Sequence, residues 1–322
     1  MPAENMPAEQ MPAEQMPAEQ MPAAQSMQQA DAFWRAKKFP AKSKGFLRRN
    51  CSRKTFAEKK TLDGLIGAES MLLGNGAEAV VFMTDRGTVV KRFRNAAAKS
   101  KPAAHAEITF AINSLKHPHL VRVLEFDVAT GCLSMELVNG GSLADVLQRE
   151  GALTEKRITR VVIDIVAGLC GLHRQNLLHR DVKPGNVMQD LRSGACKLTD
   201  WIGNCAETES LMLGKPIGTP VFMAPEVAGK PHKHQFVSDT WSLGCTVINM
   251  ASGRLPWADT DALGRTNEFM AMWLTSKGKA PPYNSSGWSP ALAAFVALCF
   301  EPDPRRRACA QELRYTCNIM RI

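Results

Sequence analysis

The sequence predicts an α+β fold of two lobes, a small and mainly β N-terminal lobe with one helix and a larger, mainly α C-terminal lobe. From about residue 61 the chain alternates short β-branched runs with one helical segment, and beyond Gly140 long patterns of helical period follow. The turn residues Val138-Asn139-Gly140 separate the β-branched pattern from the helical pattern. We therefore expect one folded body over residues 61–322, with the lobes over about 61–138 and about 139–322.

The N-terminal lobe is expected to begin with an antiparallel hairpin. Val80-Val81-Phe82 and Thr88-Val89-Val90 are β-branched runs, and Asp85-Arg86-Gly87 between them is a turn signal. Apolar residues at helical spacing between Pro102 and Pro118 predict the single helix. The stretch from Leu133 to Val138 then predicts a further strand.

The C-terminal lobe is expected to consist mainly of helices. Ser142 follows two glycines and precedes an apolar periodic run, which predicts a helix with Ser142 as its N-cap. Residues 160–174 carry apolar side chains at positions one turn apart, which predicts a helix with a broad buried face.

The first 60 residues differ in composition from the rest. Residues 1–25 are five tandem pentapeptides of the Met-Pro-Ala-Glu-Gln type, and a proline every fifth residue interrupts helices and strands, so disorder is expected there. Residues 26–60 form a basic linker in which aromatic residues are interleaved with lysines and arginines. Two interpretations stay open: a solvated linker that packs partly on the domain, or a tail that contacts an acidic partner, nucleic acid or an anionic surface.

Composition argues against several classes of protein. The sequence has no run of about 18 apolar residues and no signal-peptide core, so we expect a cytoplasmic protein without a transmembrane segment, with a nuclear address in the basic stretch as an option. The nine cysteines include no Cys-x-x-Cys pair, so free thiols are expected rather than disulfides or a zinc site. The net charge of +9 is concentrated in residues 35–60, which leaves the body only mildly basic and predicts no specific nucleic-acid binding there.

The strongest chemical motif is the run His179-Arg180-Asp181-Val182-Lys183-Pro184-Gly185-Asn186. Phosphoryl transfer from ATP needs a carboxylate at the attacking hydroxyl, a cation at the γ-phosphate and an oxygen ligand for Mg²⁺. Asp181, Lys183 and Asn186 supply these three groups within six residues. The run resembles the catalytic loop of eukaryotic protein kinases. The resemblance implies a two-lobed protein kinase fold that uses ATP and Mg²⁺.

Further landmarks of that family occur in the expected order. The segment that resembles the glycine-rich loop, where backbone N–H groups approach the ATP phosphates, consists of Gly74, Asn75, Gly76, Ala77, Glu78, Ala79, Val80 and Val81. Lys91 is similar to the lysine that holds the α- and β-phosphates, and the resemblance implies that Glu107 pairs with it. Asp200 stands where the family places its metal-binding aspartate, so the resemblance assigns Mg²⁺ to Asn186 and Asp200.

The resemblance also covers the adenine pocket and the activation segment. It implies that Met135 is the gatekeeper, that Glu136 to Val138 is the hinge, and that the base lies among Val81, Val89 and Met188, although ordinary core packing is the alternative for each apolar residue.

The end of the activation segment is similar to the run from Gly218 to Glu226. In the family, Thr219 bridges Asp181 and Lys183, and Glu226 pairs with Arg307. Asp239 is similar to the helix-borne acid that steadies the catalytic loop. Arg180 beside Asp181 suggests regulation by phosphate on the activation segment, with Thr208 and Ser210 as acceptors.

Thr219 together with Lys183 is the pattern of the serine/threonine kinases. The runs from Gly218 to Glu226 and from Gly253 to Trp257 look most like MAP kinase kinase kinases. This resemblance implies a signalling enzyme with a MAP kinase kinase as protein substrate and an upstream activator.

Three positions depart from the family pattern. Ala79 replaces the third glycine of the loop, Val89 replaces a smaller alanine, and Asp200-Trp201-Ile202-Gly203 replaces Asp-Phe-Gly. Either Ile202 takes the glycine position or one residue is inserted before Gly203, and the sequence leaves both open. The alternative functions are therefore a pseudokinase that acts as a scaffold or allosteric partner, and an inert body that carries a basic adaptor tail. The charged positions of the family pattern are all present, which favours catalysis.

Overall fold

The structure, a computed structural model, describes residues 70–76, 79–84, 86–94, 115–127, 130–201, 218–258 and 266–320. Several predicted features lie outside these residues: the pentapeptide repeats, the basic linker and the helix between Pro102 and Pro118. The same holds for Ala77, Glu78, Glu107, Ile202, Gly203, Thr208 and Ser210.

A five-stranded antiparallel sheet forms the N-terminal lobe. Its strands, in the order β1-β2-β3-β5-β4, are β1 Met71–Asn75, β2 Ala79–Met83, β3 Thr88–Phe93, β4 Val123–Asp127 and β5 Cys132–Glu136. The predicted hairpin is confirmed as β2 and β3, with Val81 opposite Lys91. Strand β5 ends at Glu136 instead of Val138, because its partner there is Thr88, the first residue of β3.

Helices make up most of the described C-terminal lobe. They are α1 Leu143–Glu150, α2 Glu155–His173, α3 Pro225–Ala228, α4 Phe236–Ser252, α5 Glu268–Ser276, α6 Pro290–Cys299 and α7 Ala310–Ile319, with the short strands β6 Val187–Gln189 and β7 Cys196–Leu198. The predicted α+β class with two lobes is therefore confirmed. Helix α2 begins at Glu155, earlier than predicted, because its first turn is polar and its buried face starts only at Ile158.

The core of the C-terminal lobe lies around α2 and α4. The apolar face of α2 is buried as predicted, and α4 is buried almost all round from Ser238 to Met250. Helix α1 begins after Ser142, whose hydroxyl accepts from the backbone N–H of Asp145, and the Asp145 carboxylate accepts from the backbone N–H of Ser142. The cysteines within the described residues are free thiols. None of the described helices is both long and apolar enough to cross a bilayer.

The linker between the lobes is fixed to the C-terminal lobe by backbone pairing. Gly140 donates its N–H to the carbonyl of Gln189 at 2.8 Å, and Gln189 donates back to Gly141 at 2.9 Å. A Cβ atom on Gly140 would lie 2.3 Å from the Gln189 oxygen, so only glycine permits this approach. The end of the linker is thereby anchored on β6, the strand that follows the run from His179 to Asn186.

Candidate functional site

The β6–β7 pair brings two predicted metal ligands to the same end of a small sheet. Asn186 precedes β6 and Thr199-Asp200 follows β7, and the strands are antiparallel with Val187 opposite Leu198. The Thr199 N–H donates to the Asn186 carbonyl at 3.0 Å, which places the two segments side by side. Amide and carboxylate oxygens are hard donors that suit Mg²⁺, so the residues present fit this metal.

Asp181 lies at the centre of a set of hydrogen bonds. Its Oδ1 accepts from the backbone N–H and the hydroxyl of Thr219, at 3.0 and 2.8 Å. Its Oδ2 accepts from Asn186 Nδ2 at 2.9 Å and pairs with Lys183 Nζ at 2.7 Å. Asn186 Nδ2 also donates to the Asp181 carbonyl, so the oxygen of its amide is the atom left to serve as a ligand. Thr219 thus lies between Asp181 and Lys183. The Lys183 Nζ atom donates to the Thr219 hydroxyl at 2.6 Å.

These partners set the charge of Asp181. Burial alone would raise the pKa of Asp181, but the Lys183 ammonium and the Thr219 hydroxyl outweigh burial and lower this pKa below its usual value. The carboxylate is therefore ionised at neutral pH and can accept a proton.

Asp239 on α4 binds the backbone of the predicted catalytic loop. Its fully buried carboxylate accepts from the backbone N–H groups of His179 and Arg180 at 2.9 and 2.8 Å, and from His173 Nε2 at 2.9 Å. Burial opposes its ionisation, but the hydrogen bonds from the His173 side chain and the His179 backbone N–H lower the pKa of Asp239 below its usual value. Arg180 adopts a left-handed backbone with φ of 66°, a conformation that the two bonds to Asp239 stabilise.

His179 connects the predicted catalytic loop with the segment that carries Asp200. The Asp181 N–H donates to His179 Nδ1 at 3.3 Å, so the ring hydrogen of the neutral tautomer is on Nε2, which donates to the Thr199 carbonyl at 3.0 Å. The side chain is fully buried.

Lys91 on β3 forms an ion pair with Asp200, the predicted metal ligand that follows β7. Its Nζ lies 2.8 Å from Asp200 Oδ2. Asp200 has a φ of 66°, which is uncommon for a residue with a side chain. Among the predicted site residues, described contacts thus join Lys91 to Asp200, and join Asp181 to Asn186, Lys183 and Thr219. Glu107, the expected partner of Lys91, is outside the described residues.

The glycine-rich segment is described at Gly74, Asn75 and Gly76. Gly76 donates its N–H to the Ala79 carbonyl at 3.0 Å, which closes the loop. Arg94 donates to the Gly76 carbonyl at 3.1 Å and to the side-chain oxygen of Asn75. No local pattern indicates this contact, because Arg94 follows β3 and lies 18 residues after Gly76.

The hinge follows β5. Met135 and Val138 are buried, and Val89 lies opposite Met135 in the sheet. The Glu136 N–H donates to the Arg122 carbonyl at 2.9 Å, so this N–H is not available to a base. The Glu136 side chain pairs with Lys197 Nζ at 2.7 Å, a contact that sequence reasoning missed.

Two more residues were predicted to line the adenine pocket, Val81 and Met188. Both are partly buried and pack against the main hydrophobic core. Met188 also bridges to Ser142, at the end of the linker between the lobes. The buried Ala79, at the departure from the glycine pattern, is the first residue of β2.

The predicted end of the activation segment packs against the predicted catalytic loop. Gly218 has a φ of 106°, and a Cβ atom on it would lie 2.6 Å from the Arg180 carbonyl, so glycine is required at this contact. Farther along, Glu226 forms a two-point ion pair with Arg307, at 2.7 and 3.0 Å.

His234 lies close to this region with its Nε2 atom buried and without a hydrogen-bond partner among the described residues. Burial, and next the positive charge of Arg180, lower the pKa of His234 to about 4, against the opposing carboxylates of Asp239 and Glu226.

We expect acid to destabilise the chain through His234. The unfolded chain, with an ordinary histidine pKa, binds more protons than the folded chain between pH 6.5 and 4, so the free energy of unfolding falls as pH decreases through this window, by about 2 kcal/mol between pH 7 and pH 5. Urea unfolding at both pH values measures the effect. A His234→Gln chain should lose this part of the pH dependence, whereas the control His232→Gln should keep it; identical pH profiles for the wild type and His234→Gln would contradict the prediction.

Comparison with known proteins identifies a family over most of the chain. Residues 68–316 match the family model described as protein kinase domain. The chain is 32% identical over 262 residues to mitogen-activated protein kinase kinase kinase 2 of Arabidopsis thaliana, a match that covers 76% of this chain and 39% of that protein. It is also 32% identical over 264 residues to human mitogen-activated protein kinase kinase kinase 5, covering 76% of this chain and 18% of the relative.

The chain is also similar to a yeast kinase and to a solved structure. The serine/threonine-protein kinase SSK22 of Saccharomyces cerevisiae is 32% identical over 235 residues, which cover 66% of this chain and 17% of that protein. The crystal structure of Rad53 1-466 in complex with AMP-PNP superposes with a TM-score of 0.60 at 22% identity, over 76% of this chain and 63% of that one. This last match shows a shared fold. The chain spans well under half the length of the curated relatives described above.

Proposed function

The chain belongs to the protein kinase domain family, and from this premise we propose that it is an active serine/threonine kinase of the MAP kinase kinase kinase type. It transfers the γ-phosphate of ATP to hydroxyl groups of proteins. The observation that carries the proposal is the set of contacts around Asp181, in which an ionised carboxylate, the Lys183 ammonium and the Asn186 amide meet within hydrogen-bond distance. The departures from the family pattern leave these groups in place.

Asp181 acts as the base that orients and accepts the proton of the attacking hydroxyl. A carboxylate has about four acceptor positions, and protein donors fill them in this structure: two from Thr219, one from Asn186 and one from Lys183. A substrate hydroxyl therefore needs one of these donors to give way. Lys183 is the donor with an alternative partner, because its ammonium can turn to the γ-phosphate when ATP is bound. Nucleotide binding then makes the base accessible.

Lys91 and the hinge bind the nucleotide. Lys91 is held at 2.8 Å from Asp200, and its ammonium is suited to the α- and β-phosphates. The carbonyl of Glu136 and the backbone of Val138 are the hinge groups that face adenine, since the Glu136 N–H is already bonded to Arg122. Asn186 and Asp200 would hold Mg²⁺, which when bound supplies charge neutralisation for the phosphates.

The substrate class follows from the relatives. Proteins named as MAP kinase kinase kinases in a plant and in human share 32% identity with this chain across its kinase domain. We therefore infer that a MAP kinase kinase is the protein substrate, that an upstream activator acts on the chain, and that the chain works in the cytoplasm. The kinase domain spans about 61–322, preceded by the repeat segment and the basic linker.

The alternative of a catalytically silent scaffold gains no support. It was suggested by the altered motif at Asp200-Trp201-Ile202-Gly203. Trp201 is fully buried, while Asp200 remains in an ion pair with Lys91, so the large aromatic ring and the metal-binding carboxylate are accommodated together.

The test compares two lysines of similar burial and pairing. Lys91 pairs with Asp200 at 2.8 Å and Lys197 pairs with Glu136 at 2.7 Å, and their side chains are 15% and 17% exposed. Only Lys91 is assigned to the phosphates. Losing a charged hydrogen bond to a phosphate costs about 1.5–3 kcal/mol, so Lys91→Met should lower kcat/KM for ATP by roughly 10- to 150-fold.

The measurement is phosphate transfer from Mg-ATP by the full chain to a MAP kinase kinase and to a generic basic protein, with phosphoserine and phosphothreonine identified by mass spectrometry. Lys197→Met should change kcat/KM for ATP by less than about threefold, as expected for a lost pair outside the phosphate site. Transfer that is absent in the wild type, or equal in the wild type and Lys91→Met, would refute the kinase proposal. Equal transfer to both acceptors would refute only the substrate class.

A further inference from the structure

Trp201 makes a hydrogen bond that a phenylalanine in its place could not make. Its indole Nε1 donates to the backbone carbonyl of Val121 at 3.1 Å, and the side chain is only 1% exposed. Val121 lies just before β4, and Trp201 directly follows Asp200. The bond therefore ties the neighbour of the metal-binding residue to the entry of the N-terminal sheet.

The bond continues a short parallel ladder between the two segments. Leu120 bridges to Leu198 in parallel orientation. The Leu198 N–H donates to the His119 carbonyl at 2.9 Å, and the Val121 N–H donates to the Leu198 carbonyl at 2.8 Å. In a ladder of this kind the next donor to the Val121 carbonyl would be the backbone N–H of residue 200.

Asp200 breaks this backbone ladder. Its φ of 66° turns the chain away from the strand direction. The Val121 carbonyl lies in a buried environment, where an unpaired acceptor is costly, and the indole N–H of Trp201 takes the place of the missing backbone donor. The turn at Asp200 and the bond from Trp201 are thus two parts of one arrangement.

We propose that Trp201 is a positioning residue that holds Asp200 in its left-handed turn, with the carboxylate on the Lys91 side and available to Mg²⁺. Without the indole bond, the turn competes with a conformation in which the backbone of residue 200 satisfies Val121 and the carboxylate leaves Lys91. The inference rests on the proposed function only for the identity of the metal and the nucleotide; the bond and the turn do not depend on it.

The test uses Trp201→Phe in the full chain, with Trp241→Phe as the matched control. Both tryptophans are fully buried, but the indole N–H of Trp241 has no bonded oxygen among the described residues. Both substitutions remove similar apolar volume, and only the first removes a hydrogen bond to a carbonyl. Thermal melting verifies that each variant is folded.

Calorimetric titration with AMP-PNP, in the presence of MgCl₂ and in the presence of EDTA, gives the gain in affinity due to Mg²⁺. Trp201→Phe should reduce this gain by roughly threefold to tenfold, the value of one net hydrogen bond, and should leave the affinity in EDTA within about twofold. Trp241→Phe should leave both values unchanged. An undiminished gain in Trp201→Phe would overturn the proposal and make Trp201 an ordinary core residue.

Hydrogen exchange of the nucleotide-free chain separates this proposal from the kinase assignment. Trp201→Phe should accelerate exchange at the Val121 and Leu198 amides, and Trp241→Phe should not. A wild-type chain that binds no AMP-PNP would refute the proposed function, and the exchange rates would then decide on Trp201. Equal rates at these two amides in the wild type and Trp201→Phe would overturn the proposal.

Discussion

An Asp181→Asn chain is expected to lose a factor of about 10²–10⁴ in kcat, the usual contribution of a positioned general base. Asparagine has nearly the same shape, and its side-chain oxygen can still accept from the N–H and hydroxyl of Thr219. The amide cannot take up the proton of a substrate hydroxyl. It also places an NH₂ group where Oδ2 now accepts from Asn186 and Lys183, so the Lys183 ammonium loses its charged partner.

The measurement is the steady-state rate of phosphate transfer at saturating Mg-ATP and protein substrate. The part of ATP binding that Lys91 contributes should change little, because the described partner of Lys91 is Asp200 and not Asp181. Asp190→Asn is a suitable control: this exposed carboxylate accepts from the Arg192 N–H and the Ser193 hydroxyl in the turn between β6 and β7, away from the site. A kcat of wild-type size in Asp181→Asn would show that another group serves as base, or that the chemistry assigned to this loop is wrong.

The groups that were easiest to predict from sequence are those that lie close together in the chain. Asp181, Lys183 and Asn186 fall within one loop, and the hydrogen bonds among them are local. The β2–β3 hairpin was predictable for the same reason, since its signal is an alternation of β-branched runs and a turn. Helix bounds were less predictable, because the first turn of α2 is polar and carries no apolar period.

Contacts between distant residues carried no local signal. The bond from Trp201 to the Val121 carbonyl joins residues 80 positions apart, and the pair of Lys197 with Glu136 joins residues 61 apart. Nothing in the periodicity around Val121 or Glu136 indicates such a partner. The altered motif at Trp201 was visible in the sequence as a departure from a family pattern. Its bonding partner could not be predicted, because the acceptor is a backbone carbonyl and every residue carries such a group.

Loss of the buried ion pair between Glu226 and Arg307 is expected to have the largest effect on stability. The Arg307 side chain is fully buried, with its Nη1 and Nη2 atoms at 2.7 and 3.0 Å from the two carboxylate oxygens of Glu226. It also donates to the carbonyls of Glu301, Val237 and Pro302, and it lies over the Trp241 ring. Arg307→Met removes the charged partner of a buried carboxylate, which keeps the Ser238 hydroxyl as a donor, and it takes one donor from each of the three carbonyls. The free energy of unfolding should therefore fall by about 3–5 kcal/mol.

A second arginine two positions earlier provides the control. Arg305 also forms a two-point pair, with Asp303, but its side chain is 87% exposed. Arg305→Met should change the free energy of unfolding little, because water replaces the lost partner. Urea unfolding of both variants measures the difference, and equal effects would contradict the assigned role of burial. The double variant Glu226→Gln/Arg307→Met should be less unstable than the two single effects added together, since it leaves no unpaired charge behind. Glu226 is the last residue of the run that begins at Gly218 and carries Thr219. Its ion pair with Arg307 therefore also anchors the segment that supplies the Thr219 contacts to Asp181.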